Sequence, residues 1–239
     1  MKKNLRFFFF GFGQSAQYLV KDLINSKRNF SFCATNRKKT GTYYFIKKKF
    51  NSYKFNNNVF DKKLLRELMK ADFILVSIPP QKKKDLVLVK LKENFKILKF
   101  KKLIYLSATS VYGNHNGKWV TESSKLKGKT KFGLGRRLVE ESWLNLRNKQ
   151  NLNIDILRVS GIYSKENNVI KKILKKNIYV KEKKYFSRIR VEDLANILKK
   201  MFFSSKRNMI LNAADDKPAT NIEVANFVAK LLKIKVLVP

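Results

Sequence analysis

The stretch that decides the fold is "FFFFGFGQSAQYLVKDL", residues 7–23. An apolar run of strand length enters a glycine-rich turn, and an amphipathic helix follows. In the spacing Gly11-x-Gly13-x-x-Ala16, the first glycine permits a tight turn and the second lets backbone approach a pyrophosphate, while a small third residue lets helix pack on strand. The free N–H groups at the start of the helix favour phosphates. The stretch predicts a dinucleotide-binding unit with contacts from Gly11, Gly13, Gln14, Ser15 and Ala16; the alternative is a glycine-rich turn that binds nothing.

Apolar runs of strand length recur along the first two thirds of the chain, and segments with helical periodicity lie between most of them. The runs are at 5–10, 29–34, 72–78, 102–108 and 153–159, and the helical segments are at 14–26, 61–71, 82–100 and 129–143. Continuous apolar strands that alternate with amphipathic helices are typical of a parallel sheet covered on both faces. We therefore predict an α/β fold with a Rossmann-type doubly wound parallel sheet. Residues 40–58 show no clean period, and only a strand near Tyr53–Phe55 is expected there.

The regular alternation of strand-length and helical segments ends after about residue 160. Predicted elements there are a helix at 168–175, a strand at 177–180, a strand turning into a helix over 185–202, a strand at 209–214 and a helix at 221–233. We expect two regions, an NAD(P)-binding Rossmann domain over 1–160 and a smaller C-terminal substrate lobe over 161–239 that packs on it.

The chain of 239 residues carries a net charge of +37, which can indicate a nucleic-acid or anionic-membrane partner. Only eleven of the 54 basic residues are arginines, however, and the lysines lie along almost the whole length. Arginine is the better base reader and bidentate phosphate binder. We expect no dedicated nucleic-acid partner and a positive field that attracts anionic cofactors.

Cysteine and histidine each occur once, as Cys33 and His115. An internal disulfide and a cysteine-based metal site are therefore excluded. The usual His-rich metal sites and a Ser-His-Asp relay would require His115 to serve alone, and no metal is expected. The N-terminus has the outline of a signal peptide, but a buried strand that enters a Gly-rich turn explains the same residues better. No segment has the roughly twenty apolar residues of a membrane span. We expect a soluble, cytoplasmic protein without a membrane partner.

The end of the second predicted strand bears on the choice of cofactor. An acidic residue there favours NAD, whereas a basic one accommodates the 2′-phosphate of NADP. The sequence has Asn36, Arg37 and Lys38 there and no acid. It predicts NADP as the preferred cofactor, with NAD as the alternative.

Several segments together resemble the extended short-chain dehydrogenases/reductases, in particular the atypical branch of the NAD-dependent epimerase/dehydratase family. They are the Gly-rich turn, "ADFILVSIPP" (71–80), "YLSATSVYGNHNGKWVTESS" (105–124), "ILRVSGIYS" (156–164), "FSRIRVEDLA" (186–195) and "NAADDKPAT" (212–220). The resemblance covers about residues 5–233. Family members often continue past "AKLL", so the resemblance suggests a chain that is short at its C-terminus.

The resemblance implies a catalytic Tyr and Lys four residues apart on the helix after the fifth strand, and a Ser or Thr at the end of that strand. In active members the Tyr passes a proton to or from the substrate, and the Lys lowers the Tyr pKa and holds the nicotinamide ribose. Carried over to this chain, the Ser, Tyr and Lys positions fall on Ala108, Phe132 and Arg136. Phe132 has no titratable proton, and Arg136 stays charged and can still hold a ribose.

Other side chains near the end of that strand are candidates to replace the missing Ser and Tyr hydroxyls. Ser107 and Thr109 flank Ala108, Tyr112 offers a phenol and His115 an imidazole. The alternatives are a packing role for Tyr112 and an exposed loop position for His115. We take Tyr112, Ser107 and Arg136 as the candidate catalytic residues.

The resemblance also places Ser77, Ile78 and Pro79, at the end of the fourth strand, beside the cofactor, together with Ser107 and Arg136. Arg188 and Arg190 either face an anionic substrate group or pair with nearby acids, and Asp215 and Asp216 resemble a turn.

Two functions remain open: an oxidoreductase or epimerase/dehydratase acting on a small, sugar-like or carbonyl substrate, and a catalytically inactive NADP-binding sensor. A homodimer is also implied by resemblance.

Overall fold

A computed structural model describes residues 4–170 and 185–233 of the chain. Its strands are β1 (Leu5–Phe10), β2 (Phe30–Asn36), β3 (Gly41–Phe45), β4 (Lys48–Lys54), β5 (Phe73–Val76), β6 (Lys102–Ala108), β7 (Ile154–Val159), β8 (Gly161–Tyr163), β9 (Tyr185–Phe186), β10 (Arg188–Arg190), β11 (Ile210–Ala213) and β12 (Ala219–Thr220). Its α-helices are α1 (Gln14–Asn25), α2 (Lys63–Met69), α3 (Leu86–Leu91), α4 (Lys131–Gln150), α5 (Val191–Phe203) and α6 (Asn221–Leu232). Short 3₁₀ helices cover Lys92–Ile97 and Thr109–Val111.

Eight strands form one sheet in the order β11-β7-β6-β5-β1-β2-β4-β3. All neighbours in it are parallel except β3, which pairs antiparallel with β4 at the edge. This confirms the predicted doubly wound parallel sheet. The five predicted strands all exist, with ends within two residues of those expected.

The four consecutive phenylalanines of β1 supply both faces of this sheet. Phe7 and Phe9 belong to the core that α1 and α5 cover, and Phe8 and Phe10 belong to the core beneath α2, α3 and α4. All four are at most 2% exposed. Because successive side chains of a strand point to opposite faces, an uninterrupted apolar run suits a strand with helices on both sides.

Two local predictions differ from the structure. Residues 40–58 hold two strands rather than one near Tyr53–Phe55, because Ile46 and Lys47 adopt positive φ and turn the chain into a β3–β4 hairpin. The helix predicted from Lys82 begins only at Leu86, since Lys82 and Lys83 also have positive φ. Asp85 caps it by accepting hydrogen bonds from the N–H groups of Val87 and Leu88.

The predicted division at residue 160 does not divide the sheet. β11 pairs with β7 at the sheet edge, and α5 packs beside α1 on the same face. What lies apart from the main sheet, among the described residues, is two small ladders, β8 with β10 and β9 with β12, together with α6. Most of the predicted helix at 168–175 and the whole strand at 177–180 lie outside the described residues.

Candidate active site

The glycine-rich turn connects β1 to α1 at the carboxyl edge of the sheet. Gly11 has φ +88°, and a Cβ there would lie 3.1 Å from Ser77 Oγ, so only glycine fits the turn without strain. The Gly11 N–H donates to Thr35 Oγ1 (2.9 Å), and Ser77 Oγ donates to the Phe10 carbonyl (3.1 Å). Ser77 therefore locks the turn, and Thr35 is a turn residue that the sequence pattern did not single out.

The start of α1 is open to a ligand. Its N-cap is Gly13, which has no side chain to cap the first N–H groups, and a Cβ added to Gly13 would meet nothing within 4 Å. The helices α3, α4 and α6 begin with capping side chains, from Asp85, Thr130 and Thr220, whereas α2 and α5, like α1, have none. Ala16 is fully buried against the sheet, as expected for the small third position. Uncapped N–H groups and the positive dipole end suit an anion here.

A loop after β8 closes one side of this start. Gln14 Nε2 donates to Ser164 Oγ, and Tyr18 OH donates to a Glu166 carboxylate oxygen (2.8 Å). That bond with Glu166 raises the pKa of Tyr18 to about 12. Ser164 Oγ also accepts from the N–H groups of Glu166 and Asn167. The loop is therefore held to two side chains one turn apart on α1, an arrangement that sequence spacing does not reveal because the partners lie about 150 residues apart.

The loop after β2 carries the residues predicted to select NADP. Asn36 Oδ1 accepts from the N–H groups of Lys38 and Lys39, and its amide donates to Ser52 Oγ. Asn36 therefore folds the loop, while the side chains of Arg37 and Lys38 are exposed. Neither forms an ion pair within the described part of the chain.

Ser107 lies at the carboxyl end of β6, and Arg136 reaches the same strand end from α4. Ser107 is 4% exposed, and its Oγ has no hydrogen-bond partner among the described residues. The half-buried Arg136 donates from Nη1 to the Leu106 carbonyl (2.7 Å). Ile78 and Pro79 follow β5, the neighbouring strand, with Ile78 directly beside Gly11. The structure therefore brings together residues that the sequence assigned to one site, without testing their roles.

Phe132 lies one turn before Arg136 and is 80% exposed. The neighbouring Gly133 explains why the Phe132 side chain points outward. A Cβ on Gly133 would lie 2.5 Å from the Ser110 carbonyl oxygen. Only glycine lets the first turn of α4 approach the 109–111 turn so closely. Gly133 therefore faces that turn, and Phe132 points away from it into solvent.

Tyr112 belongs to a buried network rather than to an open cleft. It is 2% exposed, donates from its hydroxyl to Asn212 Oδ1 (2.7 Å) and accepts from Arg158 Nη1 (2.9 Å). Arg158 in turn pairs with the buried Glu140, with Nη2 at 2.9 Å from Oε2. These contacts favour the packing alternative for Tyr112. His115 lies beside it and forms a hydrogen bond between Nε2 and the Lys125 carbonyl (3.0 Å).

The arginines and aspartates of the C-terminal third have local partners. Arg190 pairs with Asp193 (3.0 Å), and Arg188 donates to the Phe186 and Ala219 carbonyls and to Asn221. Asp215 lies in the predicted turn, with its N–H donating to the Arg188 carbonyl. No cluster of metal-ligating side chains occurs within residues 4–170 and 185–233. No helix in the same ranges is long and apolar enough to cross a membrane.

Solved structures with the same fold are known. A functionally unknown conserved protein from Silicibacter pomeroyi DSS matches 98% of this chain and 80% of its own, with 24% identity and a TM-score of 0.82. UDP-glucuronic acid 4-epimerase from Bacillus cereus, in complex with UDP-glucuronic acid and NAD, matches 98% of this chain and 85% of its own (15% identity, TM-score 0.79).

The dTDP-glucose 4,6-dehydratase from Bacillus anthracis str. Ames, in complex with NAD, matches 97% of this chain and 82% of its own, with 14% identity and a TM-score of 0.79. The chain shares the fold of NAD-dependent epimerases and dehydratases. No family model and no curated protein matches its sequence. Ala108, Phe132 and Arg136 stand at the positions where the family resemblance implies Ser, Tyr and Lys.

Proposed function

We propose that this protein binds NADP in the turn between β1 and α1 and belongs to the extended short-chain dehydrogenases/reductases. The observation that carries the proposal is the uncapped start of α1, where Gly13 borders open space and Gly11 is fixed at positive φ. A pyrophosphate would be held there by backbone N–H groups. Arg37 and Lys38, which are exposed and form no ion pair with the residues that the structure describes, would hold the 2′-phosphate that distinguishes NADP from NAD.

The residues present also fit the nicotinamide end of such a cofactor. A bound nicotinamide would supply or accept a hydride. Arg136 would hold the ribose from α4, and Ser107 offers a buried hydroxyl whose oxygen has no other partner in the described ranges. Both side chains lie at the end of β6, next to the strand that leads into Ser77 and Ile78.

For the reaction, we propose oxidoreductase or epimerase/dehydratase chemistry on a sugar-like or carbonyl substrate with non-standard residues. Two solved structures with the same fold are a nucleotide-sugar epimerase and a nucleotide-sugar dehydratase, which supports this class. Arg136 would stabilise negative charge on a substrate oxygen, since a guanidinium stays protonated. The phenol that delivers the proton in active relatives has no counterpart at Phe132.

That missing proton donor favours a second candidate function, a cofactor-binding protein without turnover. Phe132 stands where the phenol is expected, and Tyr112 is engaged by Arg158 and Asn212. In this reading the protein would act as a sensor of the NADP pool.

Titration with NADPH and NADH, followed by nicotinamide fluorescence, tests what both candidates share. We expect micromolar affinity for NADPH and weaker binding of NADH. Gly13→Asp should abolish binding without lowering the thermal midpoint, because its side chain enters open space, can cap α1, and carries a carboxylate that repels the pyrophosphate. Asn145→Asp, an exposed position on α4, is the control with the same added charge.

Arg37→Glu in the same titration tests the cofactor preference. Loss of a charge-assisted contact of roughly 1.5–3 kcal/mol should weaken NADPH binding by about tenfold or more and leave NADH nearly unchanged. Arg207→Glu, an exposed arginine before β11, is the matched control. Wild-type protein that binds neither nucleotide at micromolar concentration would overturn both candidate functions.

A further inference from the structure

A cavity of about 390 Å³ lies away from the candidate active site, on the face of the sheet that carries α2. It is lined by side chains near the amino ends of β1, β2 and β4 and by the end of α2. Arg6 precedes Gly11 by five residues along β1, which places the cavity roughly 17 Å from the cofactor turn at 3.3 Å per residue.

The cavity exists because α2 is too short to cover this face. Seven helical residues span about 10 Å, whereas the seven residues of β2 span about 23 Å. Leu64 and Leu68 of α2 are buried against the sheet, and the helix ends where Glu67 and Lys70 reach the cavity. Towards the amino end of β2, the side chains on this face are the small Ser31 and Cys33.

A row of three side chains crosses the floor of the cavity. Arg6 of β1 is in register with Ser31 of β2, and the pairing of Cys33 with Asn51 puts Lys49 of β4 level with Ser31. Adjacent strands are about 4.8 Å apart, so the backbones of Arg6 and Lys49 lie about 10 Å apart on either side of a serine. Both side chains are long enough to reach a group held over that serine.

The charges around the cavity are not balanced. Lys70 pairs with Glu67 at 3.2 Å. Arg6 and Lys49 are exposed and form no ion pair with any residue in the described ranges. Unpaired cations are common in a chain with 54 basic and 17 acidic residues. These two differ from the others because they face each other across a concave site with a hydroxyl between them.

We propose that this cavity is a second ligand site that binds a phosphate group, either free phosphate or the phosphate of a small nucleotide. Arg6 presents a planar fork that matches phosphate oxygens, and Lys49 adds a point charge from the other side. At the centre, Ser31 Oγ accepts from Asn4 Nδ2 (3.2 Å), which leaves the Ser31 hydroxyl hydrogen to donate to a phosphate oxygen. The site is independent of the cofactor turn and would be present whether or not the protein binds NADP.

The lone cysteine provides a reporter inside the cavity. Cys33 is the only cysteine in the chain, lines the cavity and is half-buried, so alkylation reports on this place alone. Burial, together with the nearby Glu67 carboxylate, raises the pKa of the Cys33 thiol to about 11. Alkylation with iodoacetamide, which is neutral, should therefore be slow and measurable at roughly pH 9, where phosphate is a dianion.

We expect sodium phosphate to slow alkylation of Cys33 at least about threefold, with saturation and a half-effect near 1 mM, relative to sodium chloride of equal ionic strength. A bound anion both covers the thiol and disfavours its thiolate. Mass spectrometry of the intact protein over time measures the rate.

The double variant Arg6→Gln with Lys49→Gln should lose the protection by phosphate and keep its circular dichroism spectrum. Lys99→Gln with Arg207→Gln removes the same charge from exposed positions elsewhere and should retain the protection. If phosphate acted by stabilising the whole protein against unfolding, it would protect both double variants equally, and that result would overturn the proposal.

Adenosine monophosphate distinguishes the two sources of the phosphate. Protection by the nucleotide at concentrations at least about tenfold below those of orthophosphate would identify a nucleotide site, and equal protection would identify a phosphate-ion site. No protection beyond that of chloride, by either compound, would overturn the proposal. Because NADPH binding is measured separately by fluorescence, failure of this site is distinguishable from failure of the proposed function.

Discussion

Phe132 and Arg136 stand one helical turn apart at the start of α4 but have opposite surroundings. Phe132 is 80% exposed, whereas Arg136 reaches back to the Leu106 carbonyl at the end of β6. The cation of the expected pair has thus been replaced by another cation that still touches the strand end. The phenol has been replaced by a group that cannot carry a proton. The proposed function therefore predicts that cofactor binding and proton transfer are separable properties in this chain.

Restoring the three expected side chains tests that separation. We expect Ala108→Ser with Phe132→Tyr and Arg136→Lys to raise NADPH-dependent reduction of simple and sugar-like carbonyl compounds at least about tenfold, because a positioned acid–base group contributes roughly 10²–10⁴-fold. Loss of nicotinamide absorbance measures the rate, and Phe132→Leu in place of Phe132→Tyr is the control without a phenol. Measurable wild-type turnover that the three changes leave unaltered would indicate that another group is the acid or base.

Arg158 holds several distant parts of the chain together. Its guanidinium bonds to Glu140 of α4, to the Tyr112 hydroxyl and to the Glu122 carbonyl. Arg158, Glu140 and Tyr112 are buried, whereas Glu122 is exposed. Glu122 and Tyr112 in turn contact Asn212 of β11. Removal of one partner of a buried ion pair leaves the other charged and without compensation.

We expect Arg158→Met to lower the free energy of unfolding by about 3–5 kcal/mol. Arg190→Met makes the same substitution in an exposed pair with Asp193 and should cost much less, because solvent screens that pair. Urea denaturation measures both. A second change, Glu140→Leu, should recover part of the loss caused by Arg158→Met. Equal losses for the two methionine variants would contradict this account of the network.

Among the elements, the β3–β4 hairpin has the least favourable turn chemistry. Its two central residues, Ile46 and Lys47, have φ of +45° and +58°. Two-residue hairpin turns of this kind favour Asn-Gly, because a side chain at positive φ crowds the backbone and a β-branched one does so most. The hairpin is nevertheless formed along five residue pairs.

Replacing the turn with Ile46→Asn and Lys47→Gly should raise the free energy of unfolding by about 1–2 kcal/mol, because left-handed backbone costs roughly that much for ordinary residues. Chemical denaturation checks the value. Ile97→Asn, at an exposed isoleucine without positive φ, is the control and should not stabilise the protein. A loss of stability in the turn variant would show that the positive φ values carry no strain.

The same hairpin contains a strand that the sequence did not predict. Strands such as β1 and β6 were predicted to the residue because both their faces are buried and their apolar runs are continuous. The strand β3 was missed because Ile46 and Lys47 lack the Gly or Asn that normally marks such a turn. The start of α3 was misplaced for a similar reason, since two lysines adopt positive φ before it.

Some residues of the candidate site could be predicted from the sequence, and others could not. Gly11, Gly13 and Ala16 follow a local pattern, so their placement in the β1–α1 turn could be anticipated. The setting of Tyr112 could not, because it depends on Arg158 and Asn212, which lie 46 and 100 residues further along the chain. Contacts between distant residues leave no periodic trace in a single sequence.

For the whole molecule, the net charge of +37 is the dominant electrostatic fact. With 54 basic and 17 acidic residues, most cations have no acidic partner to neutralise them. The positive side chains therefore repel one another in the folded protein, and this repulsion destabilises it at low ionic strength. We expect the thermal midpoint to rise by several degrees as sodium chloride increases from about 0.01 to 0.15 M, where the screening length shrinks from about 30 to 8 Å. Scanning calorimetry in chloride, without phosphate, isolates this effect. A midpoint that falls would show that attractive ion pairs dominate.

The position of β11 at the end of the sheet has a consequence for synthesis on the ribosome. β7 is complete at Val159, but the strand that covers its free edge begins only at Ile210, about fifty residues later. At a typical translation rate of 5–20 residues per second, that edge stays unpaired for roughly 3 to 10 s. All six residues of β7 are buried in the finished protein and four of them are apolar, so the nascent chain exposes an unpaired, largely apolar strand during that interval. Chaperone contact during translation is expected to fall in that window.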